Sequence, residues 1–191
     1  GYASGSFSDA GAVTGNIITI SENGTIKNDA VGGLLSEGTK GTSGNQAIMT
    51  GGSVGGNLIG GYIMISSPSN ADNTVTVTGG TFGEETSVYG GYTEEGDASG
   101  NKVTIQDVTV NGYAEGGYSG GGSVTGNTLA ISGNSYVKEN AYGGLLYFAD
   151  GTVSGNKVLL SGGTVSGQAA GGMSFLGDAV EVSGNEKIGR A

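Results

Sequence analysis

The chain has 191 residues, of which 43 are glycine and one is proline, and it contains neither cysteine nor histidine. Without these two residue types it has no disulfide framework, no thiolate or imidazole metal ligand and no histidine general base. The 17 acidic and 7 basic residues give a net charge of −10 with no basic run, which argues against nucleic acid and against an anionic membrane surface as partners. No apolar stretch reaches the ~20 residues of a membrane span, so insertion into a membrane is not expected.

An asparagine opens each of a series of similar segments along the chain. Successive asparagines are 26 to 29 residues apart, and Gly-Gly pairs recur at the same pace. A fixed period between about 20 and 50 residues is typical of solenoids and propellers, and a propeller blade usually needs about 40 or more. The period therefore favours a solenoid. The marker asparagines are Asn16, Asn45, Asn73, Asn101, Asn127, Asn156 and Asn185.

Each unit predicts three short strands separated by glycine-rich corners. In the unit that opens at Asn73, Val75 and Val77 alternate with polar residues, as in a strand with one buried face. Phe82 follows the first glycine break and Val88 precedes the Gly-Gly pair, which gives two further apolar steps. The pattern predicts an all-β fold, a parallel β-helix (β-solenoid) of six to seven coils of about 28 residues, forming one domain over residues 1–191.

The predicted coils differ in composition along the chain. Residues 1–15 read as the end of a preceding unit, and Pro68 in the second full coil predicts a loop or an exposed edge. The third coil is the most acidic, the fourth is the shortest and the fifth, from Asn127, is the richest in aromatic residues. Neither end carries an amphipathic capping helix. We therefore expect either a piece of a longer array or ends that other subunits cover.

Two polar columns follow from the repeat. Stacked at one corner, the marker asparagines are expected to form a hydrogen-bonded ladder, with a polar binding stripe as the alternative. A second column is expected on an outer face, where a regular rank of hydroxyls could order water as an ice-binding surface does. Tyr136 interrupts that rank, and threonine is in any case a common strand residue. The column contains Thr25, Ser53, Thr81, Thr109 and Thr164.

A tyrosine follows the Gly-Gly pair in three successive units, at Tyr62, Tyr92 and Tyr118. Other units place leucine or methionine at this position, which indicates a core column. The alternative is a platform of stacked tyrosines that binds sugar rings.

Several acidic residues form the possible ligand surface of the sequence. They could surround a cation or act as an acid/base pair in glycoside cleavage. The chain lacks the aspartate-bearing nonapeptide repeat of calcium-binding solenoids, so a solvated acidic face without a cofactor is the favoured interpretation. These residues are Glu84, Glu85, Glu94, Glu95, Asp97 and Glu115.

Two segments show a family resemblance: NTVTVTGGTFGEETSVYGGYTEEGDASGN and NKVLLSGGTVSGQAAGGMSFLGDAVEVSGN. They resemble the Gly-rich repeats in the passenger regions of bacterial autotransporter adhesins, and the similarity covers about residues 16–185. The resemblance implies a right-handed parallel β-helix on, or released from, a Gram-negative cell. Passengers of this type share no catalytic motif, so no functional residue is transferred.

The favoured hypothesis is a non-enzymatic protein of the extracellular space or bacterial cell surface, a stalk or adhesin segment. Its expected partners are itself, end to end or laterally, or a cell-surface protein or glycan. The alternatives are an end-to-end stacking subunit of an extracellular fibre, a carbohydrate-active enzyme on a β-helix, and a binder of ice or crystal surfaces.

Overall fold

The computed structural model describes residues 2–65, 68–148, 150–176 and 181–189, so the ends of the predicted domain, residues 1, 190 and 191, lie outside the described residues. The first strands are β1 (Ala3–Ser8), β2 (Val13–Thr14), β3 (Ile17–Ile20), β4 (Thr25–Ile26), β5 (Ala30–Glu37), β6 (Thr42–Ser43), β7 (Gln46–Val54), β8 (Leu58–Ile65), β9 (Asn70–Ala71), β10 (Thr74–Phe82), β11 (Val88–Thr93) and β12 (Ala98–Ser99). They are followed by β13 (Lys102–Gln106), β14 (Thr109–Val110), β15 (Ala114–Ser119), β16 (Val124–Thr125), β17 (Thr128–Val137), β18 (Ala141–Leu146), β19 (Thr152–Ser154), β20 (Lys157–Val165), β21 (Ala169–Ser174), β22 (Glu181–Ser183) and β23 (Glu186–Ile188).

These strands form three parallel sheets that run along the solenoid. Sheet 1 has the order β1-β5-β8-β11-β15-β18-β21, and sheet 2 has the order β2-β6-β9-β12-β16-β19-β22. Sheet 3 has the order β3-β7-β10-β13-β17-β20-β23, with β4 also paired to β7 and β14 to β17. Each strand pairs with its equivalent one coil away, as Val75 does with Val103. The predicted parallel β-helix is confirmed, with about six turns.

The strands divide among the sheets differently from the prediction. The first two predicted strands of a unit lie in one sheet, because β10 continues through a bulge whose register shifts between Val77 and Thr81. Gly80 has a φ of +99° there, which a glycine adopts without a steric penalty. Sheet 2 instead comes from the polar return of each unit, as in the two-residue strand β12.

The core is a set of stacked apolar columns between the sheets. The in-register pairing of successive coils places equivalent side chains one strand spacing apart, roughly 4.8 Å, so each column packs against itself as well as across the interior. Sheet 1 contributes Ala30, Leu58, Val88, Ala114 and Ala141; sheet 3 contributes Ala47, Val75, Val103, Leu129 and Val158. All are almost completely buried, and each large side chain adds about 1.5–3 kcal/mol by leaving water.

The seven marker asparagines form an uninterrupted ladder along the inner corner. The Oδ1 atom of Asn101 accepts bonds from the backbone N–H of Asn73 at 2.9 Å and from its Nδ2 at 3.1 Å. The Nδ2 of Asn101 in turn donates to Oδ1 of Asn127 at 3.0 Å and to the carbonyl of Asn70 at 2.9 Å. The same amide-to-amide step links Asn16 to Asn45, Asn45 to Asn73, Asn127 to Asn156 and Asn156 to Asn185.

The ladder accounts for the second glycine of each Gly-Gly pair. A Cβ atom on Gly117 would lie 2.5 Å from Oδ1 of Asn127, and one on Gly91 would lie 2.6 Å from the side chain of Asn101. These distances are far below ordinary van der Waals contact. The corner therefore requires an amide on one strand and a bare backbone on the strand that passes over it.

Candidate functional site

The Gly-Gly pair decides which way the side chains of sheet 1 point. In β11, Val88 lies in the core, so simple alternation would place Tyr92, four residues later, in the core as well. Gly90 and Gly91, however, both face the interior, because a Cβ on Gly90 would approach the backbone of Lys102 and one on Gly91 would meet Asn101. The alternation shifts by one residue, and Tyr92 lies on the outer face.

The predicted core position of the tyrosine column is therefore wrong. Tyr62, Tyr92 and Tyr118 are half-buried, and they belong to an outer apolar cluster or touch it, apart from the central core. Leu34 and Leu145 occupy the equivalent position and are buried. They lie on the same outer face, where Leu34 pairs in register with Tyr62 and Leu145 pairs with Tyr118. Interchange with leucine thus reflects packing on the outside of the sheet.

Aromatic rings form a continuous row across this face, which we call the aromatic strip. Successive ring centroids are 6.0, 5.2, 4.5, 6.4 and 5.1 Å apart, and the central pair is stacked with an interplanar angle of 9°. Such contacts each contribute about 0.5–1.5 kcal/mol beyond area burial. The strip consists of Tyr2, Tyr62, Tyr92, Tyr118, Tyr147 and Phe175.

A second outward column runs beside the strip, and after Ser4 in β1 its members are apolar or aromatic with one exception. The exception is Glu115, which pairs in register with Tyr89 on one side and Tyr142 on the other. The other members of the column are Val31, Ile59 and Ala170. A carboxyl group therefore occupies a position that the repeat otherwise fills with hydrophobic side chains.

Glu115 lies at the floor of a groove of about 340 Å³, which we call the tyrosine groove. The residue is only 2% exposed, and its Oε2 atom has no hydrogen-bond partner among the described residues. Burial raises the pKa of Glu115 to about 8, since water cannot solvate the carboxylate. The rings that line the groove are Tyr89, Tyr113, Tyr118, Tyr142, Tyr147 and Phe175.

The hydroxyl groups of Tyr89 and Tyr118 stay protonated at neutral pH, because their pKa values are raised. Burial, followed by the negative charges of Glu94 and Glu115, raises the pKa of Tyr118 to about 12. Burial and then the charge of Glu115 raise the pKa of Tyr89 as well. The hydroxyl of Tyr92 donates to Oε1 of Glu94 at 3.0 Å. The face thus combines apolar rings with neutral hydrogen-bond donors.

The structure does not bring the six predicted acidic residues together. Glu84 and Glu85 lie at the turn before β11, whereas Glu94, Glu95 and Asp97 follow it, and all five are exposed. The six residues of β11 separate the two groups by roughly 20 Å. Glu115 is alone in the groove, and no group of three or more acidic side chains in the described part of the chain could hold a metal ion.

The threonine column lies on the outer face of sheet 3, as expected, but it is not continuous. Thr25, Thr81 and Thr109 are exposed. Tyr136, which is 37% exposed, stands in register between Thr109 and Thr164. The flat hydroxyl rank that ice binding requires is therefore interrupted.

No protein-family model matches this sequence, and comparisons with curated proteins and with solved structures gave no match either. Within the described residues, no helix could span a lipid bilayer.

The sequence prediction grouped Glu115 with the exposed acids and missed its burial in the groove. One signal was available: counted from the Gly-Gly pair, Glu115 occupies the same position as Tyr89 and Tyr142. An acid in a column of apolar residues costs free energy to bury, which makes its position a candidate functional site.

Proposed function

We propose that the protein is a non-enzymatic, adhesin-like β-solenoid of the extracellular space or bacterial cell surface. On this proposal the outer face of sheet 1 binds an extended glycan on a neighbouring or host cell. The aromatic strip is the observation that carries the proposal, because six rings in a row on an outer surface are not needed for the central core.

The shape of the strip favours an extended ligand. Five of its rings, from Tyr62 to Phe175, lie on successive coils, so this part of the strip is roughly 19 Å long at about 4.8 Å per strand and one ring wide. Flat aromatic faces pack against the apolar faces of sugar rings, while hydroxyl groups such as that of Tyr92 bind polar substituents. Several weak contacts along one chain then add up to useful avidity.

Binding of glycans by variants of the strip tests this proposal. A glycan array first identifies the glycans that bind the native protein. The double variant Tyr92→Ala/Tyr118→Ala should bind these glycans at least about tenfold more weakly. Tyr136→Ala is the matched control, because Tyr136 is a half-exposed tyrosine on sheet 3. Equal binding by the double variant and the native protein would show that the aromatic strip does not bind the glycan.

Glycan cleavage is the second candidate, favoured by the raised pKa of Glu115, which would keep the carboxyl group protonated as a general acid requires. Cleavage normally uses two carboxyl groups about 5–9.5 Å apart, and Glu115 is the one acidic residue among the described residues that line the groove. Release of reducing ends from bound oligosaccharides by the native protein, abolished in Glu115→Gln, would establish this alternative over binding alone.

Self-association is tested separately by sedimentation and negative-stain microscopy over a concentration series. A laterally binding module gives single short rods at every concentration. Long unbranched fibres would instead establish the end-to-end stacking subunit as the function.

A further inference from the structure

The side chain of Glu115 has no structural role that its surroundings explain. It points away from the central core, because Ala114 occupies the inward position beside it. It is buried beneath aromatic rings, yet its Oε2 atom accepts no hydrogen bond within the described structure. An unpaired carboxyl oxygen in such a place destabilises the fold, and a hydrophobic residue would pack there without that cost.

The surroundings specify what would satisfy this oxygen. The groups that face Glu115 are Tyr89 from β11, Tyr113 beside β15, Tyr118 from β15 and Tyr142 from β18. Among the described residues that line the groove none is basic, so these residues supply no counter-ion. The faces of tyrosine rings attract cations within about 6 Å. Carboxylate and rings together therefore select a positively charged group.

We propose that the tyrosine groove binds the protonated primary amine of a hexosamine unit, with Glu115 as its counter-ion and hydrogen-bond acceptor. This inference rests on the proposed function, since the groove adjoins the aromatic strip and contains three of its rings, Tyr118, Tyr147 and Phe175. It names the ligand class of that face: a glycan in which at least one amino sugar is not acetylated.

The hydrogen bond decides between kinds of ammonium group. A primary ammonium has three N–H donors and can bond to Oε2 of Glu115, whereas a trimethylammonium group has none. The groove volume of about 340 Å³ lies at the lower end of the roughly 300–1,000 Å³ of small-ligand sites. A single sugar unit is a suitable occupant at this size.

Binding of the amine requires Glu115 to ionise. In the free protein the carboxyl group is mostly protonated at neutral pH, because burial raises its pKa to about 8. The ligand ammonium reverses this preference, and the carboxyl proton passes to the buffer. Burial raises the pKa of Tyr118 to about 12 and also raises the pKa of Tyr89 and Tyr142, so these three hydroxyl groups do not titrate in this range. Close to one proton should be released per ligand bound near pH 6.

Isothermal titration calorimetry of the full chain tests the inference with three tetrasaccharides. These are the tetramer of glucosamine, the same tetramer with N-acetylated amines and the same tetramer with N-trimethylated amines. Titrations at pH 6 in two buffers of different ionisation enthalpy count the released protons. The variants are Glu115→Gln and the matched control Glu84→Gln, which makes the same substitution at an exposed turn outside the groove.

We expect the glucosamine tetramer to bind the native protein and Glu84→Gln equally, with proton release. Glu115→Gln should bind it roughly tenfold to a hundredfold more weakly and release no proton, because a charge-assisted hydrogen bond is lost. The N-acetylated and N-trimethylated tetramers should bind the native protein at least tenfold more weakly than the amine.

Three results would overturn the inference. Equal affinity of the glucosamine tetramer for the native protein and for Glu115→Gln would show that Glu115 is not the counter-ion. Equal affinity of the native protein for the trimethylated and the primary amine would show that no hydrogen bond from the ammonium group to Glu115 contributes to binding. If array glycans bind through the strip while the glucosamine tetramer does not bind, the inference fails and the proposed function stands; if neither binds, both fail.

Discussion

Replacing Glu115 with glutamine should stabilise the protein, and the gain should grow with pH. The pKa of the carboxyl group is 4.5 in its ordinary state and about 8 in the folded protein. Below pH 4.5 Glu115 holds its proton in both the folded and the unfolded chain, so its ionisation does not lower the stability of the native protein there. As pH rises from 4.5 towards 8, the unfolded chain loses the proton while the folded chain keeps it, and stability falls.

The magnitude follows from the interval between the two pKa values. Each unit of separation corresponds to about 1.4 kcal/mol, so the native protein loses up to about 5 kcal/mol of unfolding free energy by pH 8. Glutamine has the same shape and no charge, so Glu115→Gln should equal the native protein at pH 4 and exceed it by several kcal/mol at pH 8.

Urea unfolding of both proteins at pH 4, 6, 8 and 9 measures this difference, with Glu84→Gln as the control for an exposed acid. The control should follow the native curve. A Glu115→Gln variant that is equally or less stable than the native protein at pH 8 would refute the reasoning, because it would mean that the carboxylate is well solvated or paired in the folded state.

Two further predictions concern the corner of the coil, and urea unfolding measures both. Asn101→Ala should lower the unfolding free energy by about 3–5 kcal/mol, because it leaves buried partners on both neighbouring coils unbonded. Gly117→Ala should cost about 1–3 kcal/mol, because its methyl group would lie 2.5 Å from Oδ1 of Asn127. Gly11→Ala, whose methyl group meets only Ser8 Oγ at 3.1 Å, is the control and should change stability far less. A loss below about 1 kcal/mol for Asn101→Ala would show that the ladder contributes little.

Much of the fold could be predicted because the repeat carries the same information several times. A single alternating segment such as Thr74–Phe82 is ambiguous, but equivalent apolar residues one coil away fix the register of the stack. The corner asparagines were also predictable, since a buried amide such as Asn101 must find partners and its equivalents in the next coils supply them.

The candidate site was harder to predict, because its position depends on a local departure from regular geometry. Strict alternation from Val88 places Tyr92 in the core, and nothing in the sequence states that Gly90 and Gly91 turn inward together. The environment of Glu115 follows from the same shift, since rings from neighbouring coils close over it. Burial of that kind depends on several strands at once.

The coil length, the apolar columns and the asparagine corner can all be predicted from the order of the residues, because each is a one-dimensional pattern that repetition reinforces. The face of sheet 1 that carries the tyrosines, and the burial of Glu115 among them, became apparent only from the packing of the folded chain. The physical reason is that side-chain direction at a bend depends on backbone conformation. Because both glycines of each pair face the interior beside the asparagine ladder, the alternation shifts by one residue and the tyrosine column lies on the surface of the solenoid.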